Sequence, residues 1–221
     1  MHLSSKESLK QFCDHQVNGD IKSRDQCGSF DKKIWKKAAD HSLHSLFTVD
    51  FKNFVDQFKY LESFSQYSLD NGLSFSIAAQ LFSCSIPIYL FGNNAQKSKY
   101  LSFLQTGKLI CCNAITEESS GSDVFDLKSS CKKTGNTYQL EGHKKYCTSA
   151  PSSDIALVYL KNKDSKKKIG AITVFIIDKK RIGQGVIAFT VFNGNDPPVC
   201  ERLCFIKPVL NITPEVKPNK Q

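Results

Sequence analysis

The chain has 221 residues, 40% of them apolar and 23% charged, a mixture that suits a soluble protein with a real core and excludes a disordered or collagen-like chain. Its formal net charge is +9, with basic clusters at Lys32, Lys33, Lys36 and Lys37, at 161–168 and at 179–181. Such charge draws any polyanion, but no aromatic-interleaved RNA motif or zinc finger accompanies it; the lysines read as solvated, and no nucleic-acid partner is expected.

Residues 1–107 read as helical. In SFDKKIWKKAADHSLHSLF, Ser29 can cap a helix whose apolar set is Ile34, Trp35, Ala38, Leu43 and Leu46. Asp70-Asn71-Gly72 punctuates the chain before the longest apolar segment, Leu73 to Phe91. Gln80, Pro87 and several serines interrupt that segment, which is therefore expected as a buried helical pair and not a membrane span. Pro87 suits the first turn of its second helix, and Gly92 its close. Asn94 can cap AQKSKYLSFLQT, and Gly107 ends it.

From Leu109 the texture changes to short β-rich runs bounded by turn residues: LICCNAIT, LKSSCKK, YQLE, KKYCTS, IALVYL, ITVFII, VIAFTVF and ERLCFI. Thr134-Gly135-Asn136 reads as a hairpin turn. The expected organisation is a helical domain over 1–107, a β domain over 108–210 and an extended or disordered tail over 211–221.

The nine cysteines are an odd count with no pair spaced Cys-x-x-Cys, so neither a disulfide framework nor a zinc ribbon is expected. They read as reduced, mostly buried thiols, and the opening MHLSSKESLKQF has no apolar stretch of signal-peptide length; the expected compartment is the cytoplasm. His41 and His44 share a helix face without a third ligand, and the adjacent Cys111 and Cys112 point to opposite faces of a strand. Cys200 and Cys204 have no partner histidines, so no metal site is expected. No Ser-His-Asp set is identifiable.

The stretch AITEESSGSDVFD, Ala114 to Asp126, places four carboxylates, four hydroxyls and one glycine between two strand-like runs. A glycine there lets a ligand approach the main chain, and Ser122 beside it can donate to a phosphate oxygen. Thr116, at the end of an apolar run, can offer both its N–H and its hydroxyl to a ring edge.

AITEESSGSD resembles the signature loop of the acyl-CoA dehydrogenase family, a small-aliphatic-Thr-Glu strand followed by Gly-Ser-Asp. GHKKYCTS, 142–149, is similar to the family's Gly-x-Lys-x-aromatic-x-Thr strand, at the family's separation from the first motif. FGNNAQKSKYLSFLQTGK and DNGLSFSIAAQLFSCSIPI resemble its helices upstream; ITVFIID and CERLCFIKPVLNI look like closing strands of its middle domain. The resemblance implies an α+β fold, an N-terminal all-helical domain followed by a β domain of two packed sheets. It also implies an FAD-dependent oxidoreductase of fatty acid metabolism that desaturates acyl-CoA or acyl-carrier-protein thioesters between the α and β carbons. Carried over by motif, Asn113, Ile115, Thr116, Gly121, Ser122, Tyr146, Cys147 and Thr148 would contact FAD. Thr116 would donate to the pyrimidine edge, and Ser122 would contact a phosphate and the substrate. Tyr146 would supply stacking surface, and Thr148 would lie near N5. Glu117, Glu118, Asp123 and Asp126 would order the loop or face water.

Several residues depart from the family pattern. Glu118 stands where relatives have Pro, Tyr146 where they have Trp, Asp126 where they have a small residue, and the glycine-rich turn expected between Phe47 and Asp56 is missing. The family's third, C-terminal helical domain, which carries the catalytic glutamate, has no counterpart here. No catalytic residue is therefore assigned, and the missing helices are expected from a homo- or hetero-oligomeric partner. The alternative is a catalytically inactive relative that serves as a binding or assembly subunit.

Overall fold

In the computed structural model, the first long amphipathic helix of the chain is α3, Lys32–Asp40, which buries Ile34, Trp35 and Ala38. Its cap is Asp31, not the Ser29 expected, and the Asp31 carboxylate accepts from Lys33 N at 2.7 Å and Ile34 N at 3.2 Å. The reason is packing: Phe30 lies 5.4 Å from Trp35, so an apolar residue just before the cap closes on one a turn inside the helix. The helix stops at Asp40; Leu43 and Leu46 reach the core from turns.

The structure describes residues 3–49, 53–135, 137–166 and 171–178, with the backbone of 187–190 and 200–205. The expected tail, residues 167–168 of one basic cluster and the 179–181 cluster lie outside the described residues. The chain divides into two units, Met1–Ile110 and Cys111–Gln221.

In the first unit, α1 (Lys6–Phe12) runs through a π turn at Cys13–Val17 to α2 (Ile21–Cys27), α3 and α4 (Phe54–Tyr67). The apolar run that follows is one continuous helix and not a pair: α5 (Asn71–Gln80) passes through a π turn at Leu81–Ser85 into α6 (Ile86–Phe91). Pro87 has no N–H to return to the preceding turn, and the widened turn, in which Ile86 N–H bonds to Leu81 O, absorbs it without a break. By length and composition Asn71–Phe91 could cross a membrane, with a mean hydropathy of 1.5, but Leu73, Ile77 and Leu81 turn one face into the unit's own core.

Asn93, one residue before the expected cap, closes α7 (Asn94–Gln105) through a reciprocal pair with Gln96. Gly107 follows at φ +63, as the expected helix stop. A Cβ there would meet His44 Cδ2 at 3.2 Å. At the start of the segment where the resemblance implied a glycine-rich turn, Phe47 takes φ +62, held by its N–H to Gln57 Oε1 at 2.6 Å. The core gathers Leu9, Phe12, Trp35, Leu46, Phe64, Ile77 and their neighbours, with Ile110 at the end of the unit.

The second unit is built from two sheets. β5 (Ile155–Asn162) is its spine, buried at Ile155, Ala156, Leu157 and Val158 alike, as a central strand must be. β6 (Ile172–Asp178) runs antiparallel along one edge of β5, while β1 (Cys111–Ala114) and β2 (Ser130–Thr134) lie parallel along successive lengths of the other. β3 (Thr137–Glu141) forms a hairpin with β2, with Gly135 at φ +60 in the turn. The second sheet is β4 (His143–Thr148), β8 (Cys200–Phe205) and β7 (Ile187–Thr190), in that order. Cys112, Ala114, Cys131, Val158 and Leu160 from the first sheet meet Cys147 from the second in one core. The expected α+β architecture, with two packed sheets in the β unit, is what the chain adopts.

Candidate functional site

On β1, Cys112 and Ala114 enter the core, so the alternation of a strand sends Asn113 to the opposite face. Asn113 Oδ1 is buried there without a hydrogen-bond partner. Past the strand, Glu117 N–H donates to Ser120 O at 2.8 Å, and the Ser120 hydroxyl donates to Asp123 O. Asp123 caps a short 3₁₀ turn, Val124–Asp126, by accepting from Phe125 N at 2.9 Å. Gly121 and Ser122 are exposed at the tip of this folded loop, and a Cβ on Gly121 would meet nothing within 4 Å. The protein itself therefore makes no demand for glycine there.

The second motif is shaped by a β-bulge. Lys144 pairs with Leu203 and Cys147 with Glu201, so Lys145 and Tyr146 stand where β8 has one residue. Tyr146 takes φ +55, a left-handed conformation that costs a bulky residue about 1–2 kcal/mol. The residue is 63% exposed. The bulge also turns Lys145 N–H away from the ladder to donate to Thr116 O at 2.8 Å. The two motifs are thus joined backbone to backbone, Thr116 beside Tyr146.

Beneath them lies an ion pair shielded from water. Lys144 Nζ sits 2.8 Å from Glu117 Oε1 and 2.8 Å from Ile115 O, with side-chain exposures of 0% for the lysine and 5% for the glutamate. Glu117 Oε1 also accepts from Ser129 N at 3.0 Å, and Oε2 accepts from Lys128 N at 2.6 Å. Burial pushes the Glu117 carboxyl up, but the bonds from Lys144, Ser129 and Lys128 outweigh it and hold the group below its ordinary value. Burial also pulls the Lys144 ammonium below its ordinary value, against the attraction of Glu117. The other carboxylates order the loop as well: Glu118 pairs with Lys145, and Asp126 with Lys128 at 2.6 Å.

Asn113, Ile115 and Thr116 are half-buried, Gly121, Ser122 and Tyr146 are exposed, and Thr148 is half-buried. Cys147 is different. Its side chain is fully buried in the β core, so only its main chain is left to face a ligand. The sequence reading missed Lys144, whose place in the Gly-x-Lys strand was the available signal. It also missed Ser149, at φ +63 with a buried hydroxyl that finds no partner. Among the described residues no group of three side chains could hold a metal ion. His44 is spent on packing, its Nε2 lying 2.8 Å from Trp35 O.

The sequence of the helical unit matches the family model for the acyl-CoA dehydrogenase N-terminal domain over residues 2–108, and that of the β unit matches the middle domain over 112–191. The chain belongs to the acyl-CoA dehydrogenase family. It is 34% identical over 185 residues to an L-prolyl-[peptidyl-carrier protein] dehydrogenase of Serratia sp. (strain ATCC 39006), covering 81% of this chain and 48% of that protein. To the mitochondrial isovaleryl-CoA dehydrogenase of Arabidopsis thaliana it is 31% identical over 188 residues, 82% of this chain and 45% of the relative. The FAD complex of PigA superposes with a TM-score of 0.74 at 30% identity, covering 93% of this chain and 57% of PigA. The chain thus spans about half the length of the curated relatives it matches. Because one of these family members is a dehydrogenase of a carrier-bound prolyl group, membership does not by itself specify a fatty acyl chain.

Proposed function

We propose that this chain forms the flavin-binding part of an FAD-dependent dehydrogenase acting on an acyl group held as a thioester, with the rest of the site supplied from outside the 221 residues. The observation that carries this reading is the Lys145 N–H to Thr116 O bond, which holds the signature loop beside the exposed Tyr146. The site also fits a polar, phosphate-bearing ring cofactor in its detail. Asn113 Oδ1 and Ser149 Oγ are buried polar atoms without partners, and the main chain at Gly121 is open to close approach.

In this reading Thr116 donates to the pyrimidine edge, Gly121 and Ser122 receive a phosphate, and Tyr146 offers its face to the ring, with the Thr148 side chain and the Cys147 main chain alongside. Donors fixed where negative charge develops stabilise it without reorganisation, and that is the role this reading gives Thr116. Bound FAD would supply the hydride acceptor that desaturation of a saturated bond needs. The chain's own residues bind, orient and shield; none of them is assigned as the base. Glu117, which follows Thr116 in sequence, is committed to Lys144, Lys128 and Ser129. The substrate class proposed is an acyl-CoA or an acyl-carrier-protein thioester, and the compartment proposed is the cytoplasm.

The test is a visible absorption spectrum of the purified chain after incubation with FAD and desalting. Retained flavin absorbance is expected. A folded but colourless protein, alone and with every candidate partner, would overturn the reading in favour of an inactive binding or assembly subunit.

A further inference from the structure

We propose that Lys144 and Glu117 are the positioning pair of this site, setting the distance between the Thr116 loop and the Tyr146 bulge on which the proposed flavin site rests. The pair joins three chain segments at one buried point. Lys144 Nζ reaches Ile115 O and Glu117 Oε1 from β4, and the same carboxylate gathers the N–H groups of Lys128 and Ser129 from the far end of the loop. One buried contact therefore closes both ends of 115–129 onto β4.

The pair's neighbours are the proposed ligand residues. Thr116 lies between Ile115 and Glu117, whose atoms hold the ammonium, and Tyr146 follows Lys145, whose N–H bonds Thr116 O at 2.8 Å. A further ion pair, Glu118 to Lys145, involves a carboxylate that is 80% exposed and therefore screened by solvent, and the Ser129 hydroxyl adds a neutral bond to His143 O at 3.3 Å. Neither Lys144 nor Glu117 belongs to the β core of Cys112, Ala114, Val158 and Leu160. The core can therefore survive the loss of the pair while the loop moves. A buried pair also works as a register device, because either charge alone is strongly disfavoured in that environment and any displaced loop strands one of them.

The decisive variant is the double replacement Glu117→Gln with Lys144→Met, which leaves no buried charge uncompensated; Lys144→Met alone strands the carboxylate and is expected to fold poorly. Two readouts are needed. Hydrogen exchange of the Lys145 amide reports the bond to Thr116 without any ligand, and FAD affinity is measured at a temperature where the variant is fully folded. In the double variant Lys145 exchange should accelerate by roughly a hundredfold while Val158 in β5 keeps its protection. FAD should bind more weakly by roughly tenfold or more, as expected when a loop is misplaced by about 1 Å. A double variant that keeps Lys145 protected, or holds FAD as tightly as the native chain, overturns the proposal. If the native chain binds no FAD yet Lys145 exchange still rises in the variant, the pair positions the loop and the flavin reading alone fails.

Discussion

Gly142 lies so close to Ser129 that a Cβ built on it would stand 2.2 Å from Ser129 Cβ and 2.6 Å from its Cα. Gly142 also takes φ +148, a region essentially reserved for glycine. The glycine opening the second motif is therefore a packing requirement: it lets β4 press against the segment whose Ser129 N–H is held by Glu117. Gly142→Ala should destabilise the β unit by about 2–3 kcal/mol through overpacking and strain. Urea unfolding followed by far-ultraviolet circular dichroism would show it, and an unchanged midpoint would contradict the contact.

Gly121→Ala should behave in the opposite way. With nothing within 4 Å of the added methyl, stability should stay within about 0.5 kcal/mol of the native chain. FAD affinity should fall, because the methyl occupies space proposed for the cofactor. Equal affinity in the two proteins, read by flavin fluorescence, would remove Gly121 from the site.

Tyr146 carries strain on an exposed ring. Tyr146→Gly relieves φ +55 and gives up little burial, since the residue is 63% exposed. The variant should be more stable by about 0.5–1 kcal/mol and bind FAD less tightly. Strain kept at a binding residue has this signature, and a variant that loses stability would show that the ring is anchored by packing instead.

His44 sets an acid limit on the helical unit. Burial pushes its imidazole down to about 4 from an ordinary value of 6.5, against the bond to Trp35 O, and its Nδ1 is buried without a partner to receive a second proton's N–H. Between pH 6.5 and 4 the unfolded chain binds a proton that the folded chain refuses, so stability is present above that window and lost as pH falls through it. The loss is on the order of 3 kcal/mol, and His41, lowered by burial, adds in the same direction. Thermal melts read through Trp35, the single tryptophan and fully buried, should show this slope, and His44→Gln should flatten it.

Much of the architecture was legible because periodicity and turn chemistry are local. Each β-rich run between Leu109 and Ile206 contains a strand of the structure, and Ile34, Trp35 and Ala38 of α3 are buried as their spacing implied. Local choices between equivalent residues were not legible. Ser29 and Asp31 are both good caps, and it was the contact of Phe30 with Trp35 that chose between them. Pro87 marks a helix start in sequence, but a π turn lets the chain continue, because packing of Leu73, Ile77 and Leu81 outweighs the lost bond.

The sequence by itself determined the two stretches from which the site is proposed: AITEESSGSD and GHKKYCTS stand out by residue type and spacing, which no packing changes. Only the tertiary structure decided how they are held. Lys144 and Glu117 are 27 residues apart, and two charges of this kind ordinarily face water. They are buried because a β-bulge on one strand and a folded loop after another bring them within 2.8 Å, where each becomes the other's solvent. That exchange of water for a partner depends on the whole β unit, and no stretch of sequence contains it.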